Sequence, residues 1–184
     1  MSTPDAYAAY FESPTHWGRT YGTVTPGERL RIDALVELLP TDARPVLDAG
    51  CGDGVVTNVL FDRGVDVTGV DISAEALGHV RAPTVRGSVD ALPFDDRSFE
   101  CVLAANVLEH LPAGMFERTL AELDRVAARY LLVSTPHEED LVLAQTRCDR
   151  CETSFHAAWK LVSHRSQRVC ARTRFSSCGV LTST

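Results

Sequence analysis

Three glycines and two acids stand close together in the segment Asp48–Gly54, which reads Asp-Ala-Gly-Cys-Gly-Asp-Gly. Glycine at alternate positions permits backbone angles that other residues avoid, and it lets a ligand approach the main chain closely. The spacing G-x-G-x-G differs from the G-x-G-x-x-G of loops that hold a pyrophosphate. An acid two residues before Gly50 would repel a pyrophosphate and suits a cationic ligand. A tight turn without a ligand is the alternative for the glycines taken alone.

A second acid, Asp71, ends the next apolar run of the chain, 21 residues after Gly50. A carboxylate in this place can accept hydrogen bonds from both hydroxyls of a ribose. The alternative is that Asp71 caps the helix that follows it. Because the glycine loop and the acid occur together and in this order, the pair favours a site for a ligand with a ribose and a positive charge.

Four further side chains are candidates for the substrate side of such a site. Glu109 and His110 could act as a proton-transferring pair, and the alternative is that they cap a junction between helix and loop. His16 and Tyr21 lie in an N-terminal segment that is rich in Tyr, Pro, Thr and Gly. They could line a substrate pocket, and an exposed, mobile tail is the alternative. No pattern among these residues specifies a catalytic base.

Cysteines near the end of the chain form a possible metal site. Cys148 and Cys151 make a C-x-x-C pair, and His156 follows them. Two thiolates at this spacing can bind one tetrahedral zinc ion, with His156 as a third ligand. A complete structural site has four ligands, and neither His164 nor Cys170 lies at a diagnostic spacing. A redox-active pair and two unrelated thiols are the alternatives.

An alternation of strands and helices positions these residues. The apolar periodicity predicts helices at 27–39, 54–63, 74–80 and 114–128, and strands at 45–49, 65–70, 84–86, 99–104 and 129–134. Such alternation produces parallel strands joined by right-handed crossovers, so we predict a doubly wound α/β sheet for the first 136 residues. Alternating residues over 168–183, with a turn at Ser176–Gly179, predict an antiparallel terminal hairpin, to which a disordered tail is the alternative.

Four segments, taken in order, resemble successive motifs of the class I S-adenosylmethionine-dependent methyltransferases. They are Asp48–Gly54, Val70–Ser73, Asp90–Phe94 and Ala105–Leu111, and the resemblance covers residues 28–136. It implies a Rossmann-like domain, S-adenosylmethionine as the cofactor and methyl transfer as the reaction. The residues that it assigns to the cofactor are Asp48, Gly50, Cys51, Gly52, Asp71, Ile72, Asp90, Ala91 and Asn106.

The resemblance also implies which part of the cofactor each residue meets. Gly50 and Gly52 would line the methionine and ribose part, with Asp48 near the amino group and Asp71 on the ribose hydroxyls. Acids suit this ligand because it carries a sulfonium and an ammonium charge.

Beyond the ribose, Ile72 would pack on one face of the adenine, and Asp90 with Ala91 would meet the adenine amine and ring. Asn106 would face the methionine end. The cysteine segment resembles that of a methyltransferase subgroup with a Cys-x-x-Cys and Phe-His insertion after the fifth strand, although Lys160 stands where that subgroup has a second histidine.

Composition limits the function classes. The net charge of −7 argues against a nucleic-acid backbone as the main partner. No window approaches the roughly 18 apolar residues of a membrane helix, and the N-terminus lacks the pattern of a secretion signal. We therefore expect a cytoplasmic enzyme with a small-molecule acceptor. A catalytically silent S-adenosylmethionine-binding protein and an NAD-dependent oxidoreductase are the competing functions.

One domain is expected to contain all these features. Residues 1–27 would form an N-terminal cap, residues 28–140 the cofactor-binding α/β body, and residues 141–184 the cysteine segment with its hairpin or tail.

Overall fold

The computed structural model describes residues 9–112, 114–135 and 178–182, and of the last range the backbone alone. The helices are α1 (Pro26–Leu38), α2 (Val55–Asp62), α3 (Ala74–Leu77) and α4 (Phe116–Val126). The strands are β1 (Val46–Ala49), β2 (Val67–Asp71), β3 (Thr84–Arg86), β4 (Phe99–Ala105), β5 (Ala127–Ser134) and β6 (Cys178–Thr182). Short 3-10 turns occur at Pro14–His16 and Leu108–His110.

The strands form one sheet in the order β3-β2-β1-β4-β5-β6. The pairs among β1 to β5 are parallel, and β6 runs antiparallel to β5. The prediction of a mostly parallel, doubly wound sheet of the Rossmann-like type is therefore confirmed.

The C-terminal end of the sheet differs from the predicted hairpin in one respect. Cys178 and Gly179 were assigned to its turn, but they belong to β6, where they pair with Ser134 and Val133 of β5. Pairing along β5 satisfies main-chain groups that a turn at this position would leave without partners. The rest of the hairpin lies outside the described residues.

Apolar side chains cover both faces of the sheet, because neighbouring residues of a strand point to opposite sides. Leu47 of β1 faces the cluster that contains Leu123 of α4. The preceding residue, Val46, faces the second cluster, to which α1 contributes Leu35 and α2 contributes Leu60. The sheet is thus a central layer between helices, which fixes the directions of the strand ends where a site can form.

Helix caps locate two of the helix starts. Thr25 and Glu28 form a reciprocal capping box at the start of α1, and Ser73 accepts a hydrogen bond from the Ala76 N–H at the start of α3. The predicted cap at Ser73 is confirmed, but α3 ends at Leu77 and is three residues shorter than expected.

None of the helices in the described ranges is long and apolar enough to cross a membrane.

Candidate cofactor site

A cavity of about 670 Å³ opens at the carboxyl ends of β1, β2 and β4. The sheet order reverses at this point, since β2 and β4 flank β1 on opposite sides. Ligands of open α/β sheets bind in the crevice at such a switch point. The cavity contains seven of the nine residues that the sequence assigned to a cofactor: Asp48, Gly50, Cys51, Gly52, Asp71, Ile72 and Asn106.

The glycine loop needs glycine for both conformation and space. Gly50 and Gly52 have φ angles of +74° and +53°, in the left-handed region that side chains disfavour. A Cβ atom on Gly50 would collide with Val107, which follows β4. The N–H groups of Gly50 and Cys51 donate to the Val70 carbonyl over 2.8 and 3.0 Å, which ties the loop to β2.

Asp48 lines the cavity and is 2% exposed. The Thr57 hydroxyl donates to its Oδ2 over 2.6 Å. Burial raises the pKa of Asp48 to about 6, the Thr57 hydrogen bond opposes this rise, and the charge of Asp71 adds to it. A cation in the cavity would stabilise the ionised form of this carboxyl.

Asp71 is held by main-chain donors on either side of its carboxylate. The Gly52 N–H donates to Oδ2 and the Ser73 N–H donates to Oδ1, each over 2.9 Å. Burial raises the pKa of Asp71, and these backbone hydrogen bonds oppose the rise. Each oxygen keeps acceptor capacity for a further donor, which is what the two hydroxyls of a ribose need.

The segment after β3 forms part of the cavity wall. Ser88 and Val89 line it, whereas Asp90 and Ala91 are not among the described lining residues. The Asp90 carboxylate is bound by the Arg118 guanidinium over 2.7 Å and by the Ser88 hydroxyl. Ala91 is exposed and pairs with Ser88 in an antiparallel bridge. The predicted contact of Asp90 and Ala91 with the adenine stays a prediction from the sequence.

Comparison with known proteins shows what this region is similar to. Residues 47–129 match the family model described as "Methyltransferase domain". An uncharacterized methyltransferase of Mycobacterium tuberculosis is 34% identical over 114 residues, which are 59% of this chain and 47% of that protein. Residues 47–129 are therefore similar to a methyltransferase domain.

Two further proteins are similar to this chain, one in sequence and one in fold. A ubiquinone biosynthesis O-methyltransferase of Paracidovorax citrulli is 31% identical over 94 residues, 45% of this chain and 40% of that protein. The crystal structure of magnesium protoporphyrin IX methyltransferase from Synechocystis, with bound S-adenosylmethionine, has the same fold, with a TM-score of 0.58 and 23% identity over 75% of this chain and 79% of that one. The chain spans about half the length of the curated relatives it matches.

One residue of the cavity was missed from the sequence. Arg31 of α1 lines the cavity beside Asn106, which follows β4 with a φ of +56°. With the Asn106 amide oriented to suit its neighbours, its oxygen accepts from the Arg31 guanidinium over 3.0 and 3.3 Å, and its nitrogen donates to the Ser134 hydroxyl over 3.2 Å. Arg31 directly precedes Ile32, which is buried in the core. A charged residue beside the apolar positions of α1 is the feature of the sequence that could have indicated a role for Arg31 in the cavity.

The candidate proton acceptors come from separate parts of the sequence, but they lie in the same cavity. His16, Glu109 and His110 line it, and Glu109 is 3% exposed. The Nδ1 atom of His16 is buried and has no hydrogen-bond partner within the described ranges. Tyr21 is not among the described lining residues, and its hydroxyl donates to Asp33 over 2.7 Å.

The predicted zinc ligands lie outside the described residues. This applies to Cys148, Cys151 and His156 alike. In the part of the chain that the structure does describe, no group of three His, Cys, Asp or Glu side chains is arranged to hold a metal ion. The zinc site stays a prediction from the sequence.

Proposed function

We propose that this chain is an S-adenosylmethionine-dependent methyltransferase that acts on a small-molecule acceptor. One observation carries the proposal. Two buried carboxylates, Asp48 and Asp71, flank a left-handed glycine loop in the cavity of a methyltransferase domain. This arrangement favours a ligand with a positive charge and a ribose over one with a pyrophosphate.

The cavity offers a partner for each polar part of the cofactor. Asp71 would accept hydrogen bonds from the ribose hydroxyls, and Asp48 would lie near the ammonium group. The Arg31 guanidinium, held by the Asn106 amide, is suited to the carboxylate, because a planar guanidinium can donate to both carboxylate oxygens. Ile72 would pack on the adenine.

The same charges disfavour a nicotinamide dinucleotide. A pyrophosphate at the glycine loop would lie near Asp48, Asp53 and Asp71, of which Asp53 is 1% exposed and Asp48 is 2% exposed. Arg19 forms an ion pair with Asp53 and so compensates the negative charge of that acid, but not the charges of Asp48 and Asp71. The oxidoreductase alternative is therefore not supported.

S-adenosylmethionine, when bound, supplies an electrophilic methyl group on its sulfonium. The contribution of the chain would be to hold the donor and the acceptor about 3–3.5 Å apart and in line. A base is required where the acceptor carries a proton. His16, Glu109 and His110 are the side chains of the cavity wall that could take up such a proton.

An oxygen acceptor is the first class to test. The support is the similarity to a protein named ubiquinone biosynthesis O-methyltransferase, which this chain matches over 40% of that protein's length. A nucleic acid is disfavoured by the net charge of −7.

The proposal is tested with S-adenosylmethionine that carries a labelled methyl group. The full chain is incubated with a panel of phenols, catechols, carboxylic acids and amines, and label transfer to each acceptor is measured. We expect transfer to at least one hydroxylated acceptor, with loss of transfer in Asp71→Ala. Tight binding of the cofactor without transfer to any acceptor would favour the catalytically silent alternative and overturn the proposal.

A further inference from the structure

The N-terminal residues 9–19, which we call the strap, form one wall of the cavity. Five residues of the strap line it: Tyr10, Phe11, His16, Trp17 and Arg19. Tyr10 and Phe11 belong to the same hydrophobic cluster as Ile72 and Met115. The ring centroids of Tyr10 and His16 lie 4.6 Å apart. A ligand in the cavity would therefore be enclosed between the strap and the glycine loop.

Trp17 brings the strap against the loop itself. A Cβ atom placed on Gly52 would lie 3.1 Å from Cζ3 of the Trp17 ring, so the ring rests directly on this glycine. The indole N–H donates to the Phe11 carbonyl over 2.7 Å, which holds the ring in the fold of the strap.

One end of the strap is attached to the rim through Glu12. The Arg86 guanidinium donates to Glu12 Oε1 over 2.6 Å. The N–H groups of Ala74 and Glu75 each donate to the carboxylate over 3.3 Å, and the Ser73 hydroxyl donates over 3.4 Å. Glu12 therefore connects the strap with residues that directly follow Asp71 and Ile72 in the cavity wall.

The other end is attached through Arg19. Its backbone N–H donates to Asp53 Oδ2 over 2.9 Å, and its Nε donates to the same oxygen over 3.3 Å. Asp53 belongs to the glycine loop and is 1% exposed. The strap is thus attached on both sides of the cavity, to the α3 rim by Glu12 and to the glycine loop by Arg19.

We propose that Glu12 is a positioning residue whose contacts with Arg86 and the start of α3 hold the strap closed over the bound cofactor, and so control the rate at which the cofactor or its product leaves. This inference rests on the proposed function, since it assumes that the cavity binds S-adenosylmethionine. Release from behind a closed wall requires the wall to open, and a contact made in the closed form alone slows that opening.

The experiment measures the release of labelled S-adenosylhomocysteine from the full chain after a chase with unlabelled ligand. Glu12→Gln keeps the size of the side chain and removes its charge, and Arg86→Met removes the other partner. We expect each variant to release the ligand about three- to tenfold faster, as for the loss of a partly exposed charge pair with its charge-assisted hydrogen bonds. Both variants break the Glu12–Arg86 ion pair, so the effect of the double variant should be less than multiplicative. Arg86→Met also removes the 2.9 Å hydrogen bond from Arg86 Nε to the Ile72 carbonyl, so Glu12→Gln, which keeps that bond, is the variant that isolates the ion pair.

Asp62→Asn is the matched control. It breaks a surface ion pair of the same kind, in which Arg81 donates to both oxygens of Asp62 over 2.7 Å, at residues that are not part of the described cavity lining. Its release rate should equal that of the wild type.

A structural role of Glu12 alone would lower the melting temperature without changing the release rate. The readout that separates the two is the fluorescence of Trp17 in a Trp159→Phe background, where it is the remaining one of two tryptophans. In Glu12→Gln, we expect the change in Trp17 fluorescence on ligand binding to be smaller in amplitude or to occur at a higher rate than in the wild type. Unchanged release in both Glu12→Gln and Arg86→Met would overturn the inference alone. Failure of the wild type to bind the ligand would overturn the proposed function and the inference with it.

Discussion

Two acids near the cavity differ in what holds their carboxylates. Asp71 ends β2, and main-chain N–H groups of Gly52 and Ser73 fix its two oxygens. Asp90 lies in the loop after β3, and its carboxylate is bound by the exposed Arg118 and by Ser88. Main-chain donors hold Asp71 in the cavity lining, whereas an ion pair with the Arg118 side chain holds Asp90, which is 15% exposed and not among the described lining residues.

The largest expected effect is that of Asp71→Ala. It removes the acceptor for both ribose hydroxyls, and hydrogen bonds to a charged group contribute about 1.5–3 kcal/mol each. We expect the Kd for S-adenosylhomocysteine to rise at least about 100-fold by calorimetric titration. Asp71→Asn, which keeps one oxygen, should lose less. A change of less than about threefold in a folded Asp71→Ala would remove Asp71 from the cofactor site.

Arg31→Met should weaken the same ligand about tenfold, because it removes a charge-assisted contact with the carboxylate. 5′-Methylthioadenosine shares the nucleoside but has no amino-acid group, so its affinity should stay unchanged in this variant. Equal losses for both ligands would show that Arg31 acts on the fold of the cavity and not on the carboxylate.

Asp48 should make cofactor binding depend on pH. Burial raises the pKa of Asp48 to about 6, so the carboxyl is mostly neutral at pH 5 and mostly ionised at pH 7. A bound cation favours the ionised form, and affinity for S-adenosylmethionine should therefore rise about tenfold between these pH values. Asp48→Asn should bind with little change over this range. A wild-type affinity that is flat from pH 5 to 7 would contradict a cation beside Asp48.

The same carboxyl should affect stability with the opposite dependence on pH. Its pKa is higher in the folded state than its ordinary value of 3.8, so the folded chain binds more protons than the unfolded chain between about pH 4 and 6. The free energy of unfolding should decrease as the pH rises through this range, and denaturant titrations of the wild type and Asp48→Asn should converge below it.

The smallest expected effect is that of Asp90→Asn. Its partner Arg118 is 59% exposed, and exposed ion pairs contribute less than about 1 kcal/mol. We expect the Kd for S-adenosylhomocysteine to change less than about threefold, in contrast to Asp71→Ala. A loss comparable to that of Asp71→Ala would support the contact between Asp90 and the adenine amine that the sequence predicts.

The contrast between these acids also explains how far the sequence predicts the site. Asp71 could be placed because the end of a parallel strand fixes the direction of the side chain, and the glycine loop could be placed because its spacing encodes its backbone angles. The ion pair between Asp90 and Arg118 could not be predicted, because Arg118 lies 28 residues later and no local pattern connects the two residues.

The contacts of residues that precede the methyltransferase domain in the sequence could not be predicted. Arg31 reaches the cavity through the packing of α1 near the end of β4, and Glu12 reaches the α3 rim across 61 residues or more. Such contacts depend on the assembled fold and leave no periodic trace in the sequence. The sheet could be predicted because each of its strands and helices produces a short, local pattern of apolar residues in the sequence.

The central claim is that the cavity binds S-adenosylmethionine and not a nicotinamide dinucleotide. Calorimetric titration of the full chain with S-adenosylhomocysteine and with NAD tests it most directly. The account predicts one S-adenosylhomocysteine bound per chain and no heat of binding with NAD. Binding of NAD without binding of S-adenosylhomocysteine would contradict it.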